Sequence, residues 1–477
     1  MMRRTDRSCL PRFAAIRRIS VALALSLVSV RGYSAANAVP EVGGPFAGPQ
    51  IVDVSSVYWN PGATGFLRGT HLYGDFGLLL LNASYQRDGT DPLNGDRPYA
   101  KAQVKQLNPP LIFGLTHQPF RIPLTIGAAV YPLFGALGQW DAKVEAPPGQ
   151  PSAFYQPQRS ALLSVDWLHV YGTISAAYQV NEVLSIGVGA SPILSWYRVE
   201  KAADALLDIG IDVDQFLTGD LEAGDPLRTG IAHGDFRGLS FAVSAGILLR
   251  PTPDLSIGLS YISPAKADMT GTLDVDFLDP GLLQRINSTD TRSLDLAGNS
   301  RVQFNLPQQV HLGFDLDLSP RFTLDGGASW TDWSVQDAFR MINELDGEGS
   351  GPVRNPLVLR RALVDSYQFR GGLTVHMTEQ VDLRSGLLVE TAAVPDEYLS
   401  AGNLDSNLIA PSIGARLFRN QWTLTGSFGL YIFQGRTITN SIYSYDQPFL
   451  SGLTGDSANG AYRLSAARMD LSFAYRF

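Results

Sequence analysis

Residues 309–318, QVHLGFDLDL, alternate between two kinds of side chain. The even positions are apolar, from Val310 to Leu318, and the odd positions are polar or glycine, from Gln309 to Asp317. Because successive side chains of a β-strand point to opposite faces, this strand has one apolar face and one polar face. Its length suits a tilted strand that crosses the hydrocarbon layer of a membrane. The stretch therefore predicts a membrane-spanning β-strand.

The same pattern recurs along the chain, and the segments are joined alternately by tight turns and by loops of about 12 to 39 residues. Short connections on one side and long ones on the other are typical of outer-membrane barrels. We predict an all-β fold, a transmembrane antiparallel β-barrel of about 14 strands formed by residues 66–477. The fourteen predicted strands are 66–85, 109–119, 122–138, 164–180, 183–198, 238–250, 254–274, 303–318, 320–337, 363–378, 379–394, 407–419, 420–438 and 462–477.

The composition agrees with this prediction. Only 17% of the 477 residues are charged, whereas about 25% is usual in soluble proteins. No run of 18 apolar residues could cross a bilayer as a helix. A set of soluble β-sandwiches is the alternative, but it explains neither the low charge nor the alternating loop lengths.

Residues 1–38 have the features of a secretory signal peptide. Several arginines precede the apolar stretch Ile19–Val30, and Ala36-Asn37-Ala38 is a cleavage pattern. We expect export to the outer membrane of a Gram-negative cell. Removing this segment takes away seven arginines, one aspartate and the single cysteine, Cys9, leaving 30 basic and 44 acidic residues and a net charge of −14. The acidic balance argues against nucleic acid as a partner, and the lack of cysteine excludes disulfides and thiolate metal sites.

Both ends of the mature chain carry further predictions. Residues 39–65 are rich in glycine and proline but include Phe46, Tyr58 and Trp59, so we expect them to form a small N-terminal hatch inside the lumen. A disordered periplasmic tail is the alternative. The terminal aromatic Phe477 resembles the signal that the outer-membrane assembly machinery reads, and we expect a monomer in contact with outer-membrane lipid.

Two long loops, 199–237 and 275–302, are unusually apolar. Such exposed apolar patches often mark an interaction site, here the entry site of a hydrophobic small-molecule ligand, although the two loops could instead pack on each other as a lid. The proposed entry residues are Leu206, Leu207, Ile209, Phe216, Leu217, Leu282, Leu283 and Ile286.

Signals for other chemistry are weak. Gly455-Asp456-Ser457 resembles the nucleophile block of a class of hydrolases, but no base is indicated for it. The six histidines show no metal-binding spacing. We therefore predict no catalytic residue, no metal and no cofactor, with an outer-membrane lipid hydrolase as a minor alternative.

The stretch 53–62, DVSSVYWNPG, resembles the N-terminal hatch motif of the FadL family of outer-membrane channels for long-chain fatty acids and other hydrophobic compounds. Segments at 177–189, 248–264, 330–334 and 394–396 also look like family segments, in the family's order. The motif itself is Asn60-Pro61-Gly62, with Gly62 where the family usually has alanine, and only about 21 mature residues precede Asn60.

The resemblance implies a passive channel with a lateral exit. A ligand would enter between the two apolar loops, pass a lumen in which Trp167 and Tyr171 are candidate aromatic walls, and leave through a gap at a kink in the third strand. Pro132 and Gly135 mark that kink, because proline removes a ladder donor and glycine admits a bulge. A general porin for hydrophilic solutes is the alternative function.

Overall fold

The computed structural model describes residues 42–91, 97–119, 122–204, 229–279, 281, 295–346, 356–442 and 458–477. These residues form fourteen barrel strands, several of them interrupted by a short break. The strands are β1 (Gly69–Arg87), β2 (Ala102–Asn108 and Leu111–Gln118), β3 (Leu124–Gln139 and Asp141–Ala142), β4 (Ser164–Gln179), β5 (Leu184–Asp204), β6 (Thr229–Thr252), β7 (Leu255–Ile262 and Ala265–Phe277), β8 (Leu296–Leu306 and Gln309–Ser319), β9 (Phe322–Thr331 and Ala338–Asp346), β10 (Leu357–Arg360 and Ser366–Thr378), β11 (Val381–Glu390), β12 (Leu408–Arg419), β13 (Trp422–Phe433 and Arg436–Ile438) and β14 (Gly460–Arg476).

The strands close into one antiparallel barrel. Each strand pairs with its neighbours in the sequence, and β1 pairs with β14 from His71 opposite Arg476 to Arg87 opposite Gly460. Closure gives every strand a neighbour on both sides, so that most backbone groups are paired as a lipid environment requires. The predicted fold class, strand number and connectivity are confirmed.

The two faces of the wall follow the alternation read from the sequence. On β8, Leu312 is 49% exposed on the outside, whereas His311 is 2% exposed on the inside. Some inward charges are paired, as in the ion pair between Arg468 and Asp470 at 2.5 Å. A basic side chain on the lipid face near the midplane would cost about 2 to 4 kcal/mol, which fixes this register.

Several strands are longer at their extracellular ends than the sequence predicted. β6 begins at Thr229, where we expected a loop up to residue 237, and β9 continues to Asp346. The outward residues of these extensions are polar, for example Asp235 and Arg237 on β6, which are 43% and 65% exposed. Beyond the bilayer an outward position no longer has to be apolar, so the alternation that predicts strands disappears.

Two short elements precede β1. They are α1 (Ser56–Trp59) and a 3₁₀ helix (Pro61–Phe66) that begins at the proline, whose missing N–H is no loss at that position. Further 3₁₀ turns occur at Ser152–Tyr155, Trp333–Val335 and Asp396–Tyr398. None of the helices in the described ranges is both long and apolar enough to cross a membrane.

Candidate functional site

Residues 42–67, here called the N-terminal segment, lie inside the barrel. Val57, Trp59 and Asn60 are almost completely buried. Trp59 Nε1 donates a hydrogen bond to Val42 O at 2.8 Å, and the hydroxyl of Ser260 on β7 donates to Trp59 O. These contacts hold residues 42–67 against the inner face of the wall; whether the segment acts as a hatch is considered under the proposed function.

Asn60 joins the segment to itself and to the wall. Its Nδ2 donates to Pro49 O at 2.7 Å and to Ile247 O on β6 at 2.9 Å. Its Oδ1 accepts from Gly62 N at 3.0 Å and so caps the 3₁₀ helix. Every hydrogen-bonding group of this amide is therefore used, which explains why an asparagine stands at this position of the motif.

A ring of inward glycines, here called the glycine seat, receives the N-terminal segment. A Cβ at Gly187 would lie 2.5 Å from the carbonyl carbon of Pro61, and one at Gly414 would lie 2.6 Å from Phe46 Cε2. The segment therefore packs on the wall more closely than any residue other than glycine would allow at these wall positions. The seat consists of Gly114, Gly127, Gly187, Gly246, Gly258, Gly313 and Gly414, which lie on β2, β3, β5, β6, β7, β8 and β12.

Two inward arginines hold the aromatic side chains of the segment. The guanidinium carbon of Arg370 lies 4.4 Å from the centre of the Trp59 ring, and that of Arg384 lies 4.5 Å from the Phe46 ring. Arg370 also donates to Ala47 O. These cation–π contacts strengthen the docking of a segment that has little regular structure of its own.

The wall is interrupted between β2 and β3. The ladder between these strands begins with His117 opposite Ile126 and ends with Phe113 opposite Val130. Pairing resumes only with Gln103 opposite Asp141. Within the described chain, no ladder pair joins residues 104–112 of β2 to residues 131–140 of β3. Pro132, which the sequence analysis assigns to the kink, lies near the start of this unpaired stretch; its role in a lateral exit stays a prediction.

A bulge in β3 accompanies the interruption. Pro132 is opposite Val170 of β4 and Phe134 is opposite His169, so Leu133 is an extra residue. As a result Leu133, Phe134 and Gly135 are buried in succession, and β3 bends into the lumen. Gly135 lies in this bend, where a Cβ would be 2.9 Å from Trp167 O.

The lumen beside this bulge is aromatic. Tyr171, which is 2% exposed, stacks on Tyr131 with 5.8 Å between ring centres. Trp167 is 5% exposed and meets Phe304 edge to face at 5.3 Å. Both predicted lumen aromatics thus face inward. Their role as ligand walls stays a prediction.

On the other side of the N-terminal segment is a cavity of about 250 Å³ whose lining is partly charged and partly apolar. Arg384, Arg416 and Asp53 line it, together with hydroxyls such as Thr425 and Ser472. Its wall residues lie near the short turns of the barrel. The segment therefore separates the aromatic lumen beside β3 from a cavity of mixed lining at the short-turn end of the barrel.

The loop between β11 and β12, residues 391–407, is here called the cap loop. Trp140 Nε1, near the end of β3, donates to Ala401 O of the loop at 3.1 Å. Asp405 is buried, and its carboxylate accepts from the amides of Ala393, Val394 and Ser406 at 2.5, 3.1 and 2.8 Å. Burial raises the pKa of this carboxyl to about 6, although the amide donors oppose the shift.

Several predicted site residues lie outside the described residues. They are the signal peptide 1–38, Ser457 and all the proposed entry residues, Leu206, Leu207, Ile209, Phe216, Leu217, Leu282, Leu283 and Ile286. Within the described ranges, no group of three or more histidine, cysteine and acidic side chains could hold a metal ion.

The glycine seat and the cap loop were missed by the sequence reasoning. A signal for the seat existed, since each seat glycine is flanked by outward apolar residues, as Ile186 and Val188 flank Gly187. The role of Asp405 has no such signal, because its donors are backbone amides.

A family model for "Outer membrane protein transport protein (OMPP1/FadL/TodX)" matches residues 21–466. This chain belongs to that family. Its place is accordingly the outer membrane, where its relatives are transport proteins. The resemblance noted in the sequence is confirmed.

Individual relatives are distant. The long-chain fatty acid transport protein of Salmonella typhi is 22% identical over 298 residues, which are 61% of this chain and 65% of that protein. That of Escherichia coli K12 is 21% identical over 305 residues, 61% of this chain and 66% of that protein. The match thus spans about two thirds of these curated relatives.

Solved structures share the fold. A FadL homologue of Pseudomonas aeruginosa has a TM-score of 0.72 at 15% identity, with 94% of this chain and 100% of that chain covered. The Ralstonia pickettii toluene transporter TbuX has a TM-score of 0.60 at 15% identity, with 94% and 99% covered. At this identity the likeness concerns the fold alone.

Proposed function

We propose that this protein is a passive outer-membrane channel that takes up hydrophobic small molecules and releases them sideways, between β2 and β3, into the membrane. The observation that carries the proposal is the coexistence of a tightly seated N-terminal segment and an interrupted wall beside the same aromatic lumen. The segment then acts as a hatch, and the interruption acts as the exit.

The polarity of the two possible exits favours the lateral one. A molecule that continued along the barrel axis would have to displace the segment and then pass Arg384, Arg416 and Asp53, whose charged groups line part of the next cavity. An apolar molecule gains nothing from charged groups and would leave them less hydrated. The lateral route leads from Tyr131 and Phe134 directly to lipid, so apolar surface stays out of water throughout.

The ligand class follows from the apolar lumen and from the relatives. The similar proteins are named for long-chain fatty acids and for toluene, and we propose compounds of these two kinds for this chain. Entry between the two apolar loops, at Leu206 and Leu282 among others, remains part of the proposal. No catalytic step is needed, because the concentration gradient gives direction to transport.

The proposal includes the partners predicted from the sequence. The protein works as a monomer in outer-membrane lipid, and the assembly machinery recognises the strand that ends at Phe477. This residue is 70% exposed, which suits recognition by another protein.

Uptake by whole cells tests the function. A host that lacks its own channel of this type is given radiolabelled oleate, toluene or a disaccharide. Expression of this chain should raise uptake of oleate or toluene and leave the disaccharide unchanged. Uptake of the disaccharide, together with a large steady current through the purified protein in a planar bilayer, would instead indicate a general porin.

A further inference from the structure

Two ring nitrogens at successive inward positions of β4 have no hydrogen-bond partner among the described residues. They are Nε1 of Trp167 and Nε2 of His169. Both side chains are buried, with 5% and 0% of their surface exposed. A buried polar group without a partner is destabilising, and in a binding protein such a group is a candidate for contact with a ligand.

The orientation of His169 turns the free nitrogen toward the lumen. Its Nδ1 lies 2.7 Å from the hydroxyl of Ser195 on β5, the neighbouring strand of the wall. The ring of Phe304 faces the imidazole from within the barrel at 5.4 Å, and Trp167 meets the same imidazole edge to face at 5.2 Å. The two free nitrogens therefore border one aromatic surface.

This surface adjoins the interrupted part of the wall. His169 is opposite Phe134 and Trp167 is opposite Ala136, both in the stretch of β3 that has no partner on β2. A molecule that moves from the lumen toward the gap between β2 and β3 passes these two nitrogens.

The chemistry of the two nitrogens defines what they can bind. The indole N–H is only a donor, whereas Nε2 of a neutral imidazole is a donor or an acceptor according to the tautomer. Two donors suit a carbonyl oxygen, and a donor with an acceptor suits a hydroxyl. The guanidinium of Arg361 near Trp167 is already bonded to Gln336 and Asn403, so recognition here relies on neutral groups.

We infer that Trp167 and His169 form a polar recognition site for one uncharged oxygen of the transported molecule. Resting on the proposed channel function, this inference narrows its ligand class. Alcohols, phenols and ketones with a large apolar body are preferred to hydrocarbons of the same shape, because a hydrocarbon leaves both nitrogens without a partner.

Binding of a matched ligand pair tests the inference. The full chain is placed in lipid nanodiscs, and equilibrium dialysis measures 1-naphthol and 1-methylnaphthalene, with protein-free nanodiscs correcting for partition into lipid. The wild type should bind naphthol about tenfold more tightly than its methyl analogue, since only naphthol supplies the missing hydrogen bonds.

Three variants identify the atoms. Trp167→Phe keeps the aromatic ring without the N–H, and His169→Asn keeps an amide near the Nδ1 position that can bond to Ser195. Both should abolish most of the naphthol preference, read as the ratio of the naphthol and methylnaphthalene affinities measured on the same variant. His169→Gln, which returns an amide near the Nε2 position, should restore the preference.

Each outcome decides a separate point. An unchanged naphthol preference in the Trp167→Phe/His169→Asn double variant, with methylnaphthalene still bound, would overturn the recognition site and leave the channel function standing. Failure of the folded wild type to bind either compound would overturn the proposed function itself.

Discussion

The wall of this barrel differs most between the glycine seat and the stretch where β2 and β3 separate. In the seat, seven strands present glycine to the N-terminal segment, and hydrogen bonds from Asn60 fix the contact. Where β2 and β3 separate, residues 131–140 lack ladder partners on β2 and Leu133 is an extra residue. The glycine seat and the interruption both work through the backbone of the wall. The first removes side chains so that the segment closes the axis, and the second removes ladder pairing so that the side of the barrel can open.

Filling the seat should have the largest effect. A Cβ at Gly258 would collide with Pro49 O, so Gly258→Val has to push the N-terminal segment away from β7. Overpacking of this kind costs about 1 to 3 kcal/mol or more. We expect an ionic current in planar bilayers where the wild type has almost none.

Gly172→Val is the matched control, because nothing lies within 4 Å of a Cβ at Gly172. It should leave the current unchanged. A closed channel in folded Gly258→Val would show that the segment does not depend on the seat.

Restoring the wall between β2 and β3 should lower uptake without opening the axis. Deleting Leu133 and changing Pro132→Val removes the extra residue and returns a ladder donor. We expect uptake of labelled oleate to fall about tenfold, which corresponds to a barrier raised by about 1.4 kcal/mol.

Pro192→Val is the control for this change. Pro192 lies on β5, whose ladder to β6 is unbroken and places Pro192 opposite Phe241, and its replacement should leave oleate uptake as in the wild type. Normal uptake by the folded Leu133 deletion would refute the lateral exit.

Loosening the seat without filling it should have a smaller effect. Asn60→Ala removes the donors to Pro49 O and Ile247 O and leaves both carbonyls without this partner, at a cost of about 2 to 4 kcal/mol. We expect brief, flickering currents and faster proteolysis of the segment. Asn60→Asp keeps an oxygen that accepts from Gly62 N but loses the two hydrogen bonds that Nδ2 donates. Comparing it with Asn60→Ala therefore separates the effect of the helix cap from that of the two donated bonds. If Asn60→Ala conducts no more current than the wild type, the glycines alone keep the barrel closed.

The smallest expected effect is in the cap loop, whose stability, unlike that of the glycine seat, should depend on pH. Because burial raises the pKa of Asp405 from 3.8 to about 6, the folded loop favours the protonated acid. The protonated side chain of Asp405 stabilises the folded loop by on the order of 1 to 3 kcal/mol. This contribution is fully present below about pH 4 and is lost as the pH rises through about 6. Hydrogen exchange at the amides of Ala393 and Val394, corrected for intrinsic rates, should show protection that falls over this range. Asp405→Asn should remove the trend, and protection that rises with pH would contradict the assigned sign.

The sequence predicted the fold better than the site, for a physical reason. Lipid requires an apolar outward residue at every second position, as in Leu312 and Phe314, so each spanning strand leaves a local pattern. Pro132 and Gly135 gave a local reason to expect an irregularity in β3, because proline removes a ladder donor and glycine admits a bulge. The glycine seat, by contrast, depends on glycines from seven strands that all contact the N-terminal segment. Only the closed barrel brings Gly187 and Gly414 to that same segment. Asp405 bonds to backbone amides and so left no trace in the sequence.

Photo-crosslinking of a transported ligand decides between the lateral and the axial exit. A long-chain fatty acid that carries a diazirine on its tail is taken up by cells that express the full chain, irradiated, and mapped on the protein by mass spectrometry. A lateral exit predicts adducts on β2 residues 104–112 and β3 residues 131–140. Adducts concentrated instead on Arg416, Thr425 and Ser472, which line the cavity beyond the N-terminal segment, would show that the ligand passes along the axis and that the lateral exit is wrong.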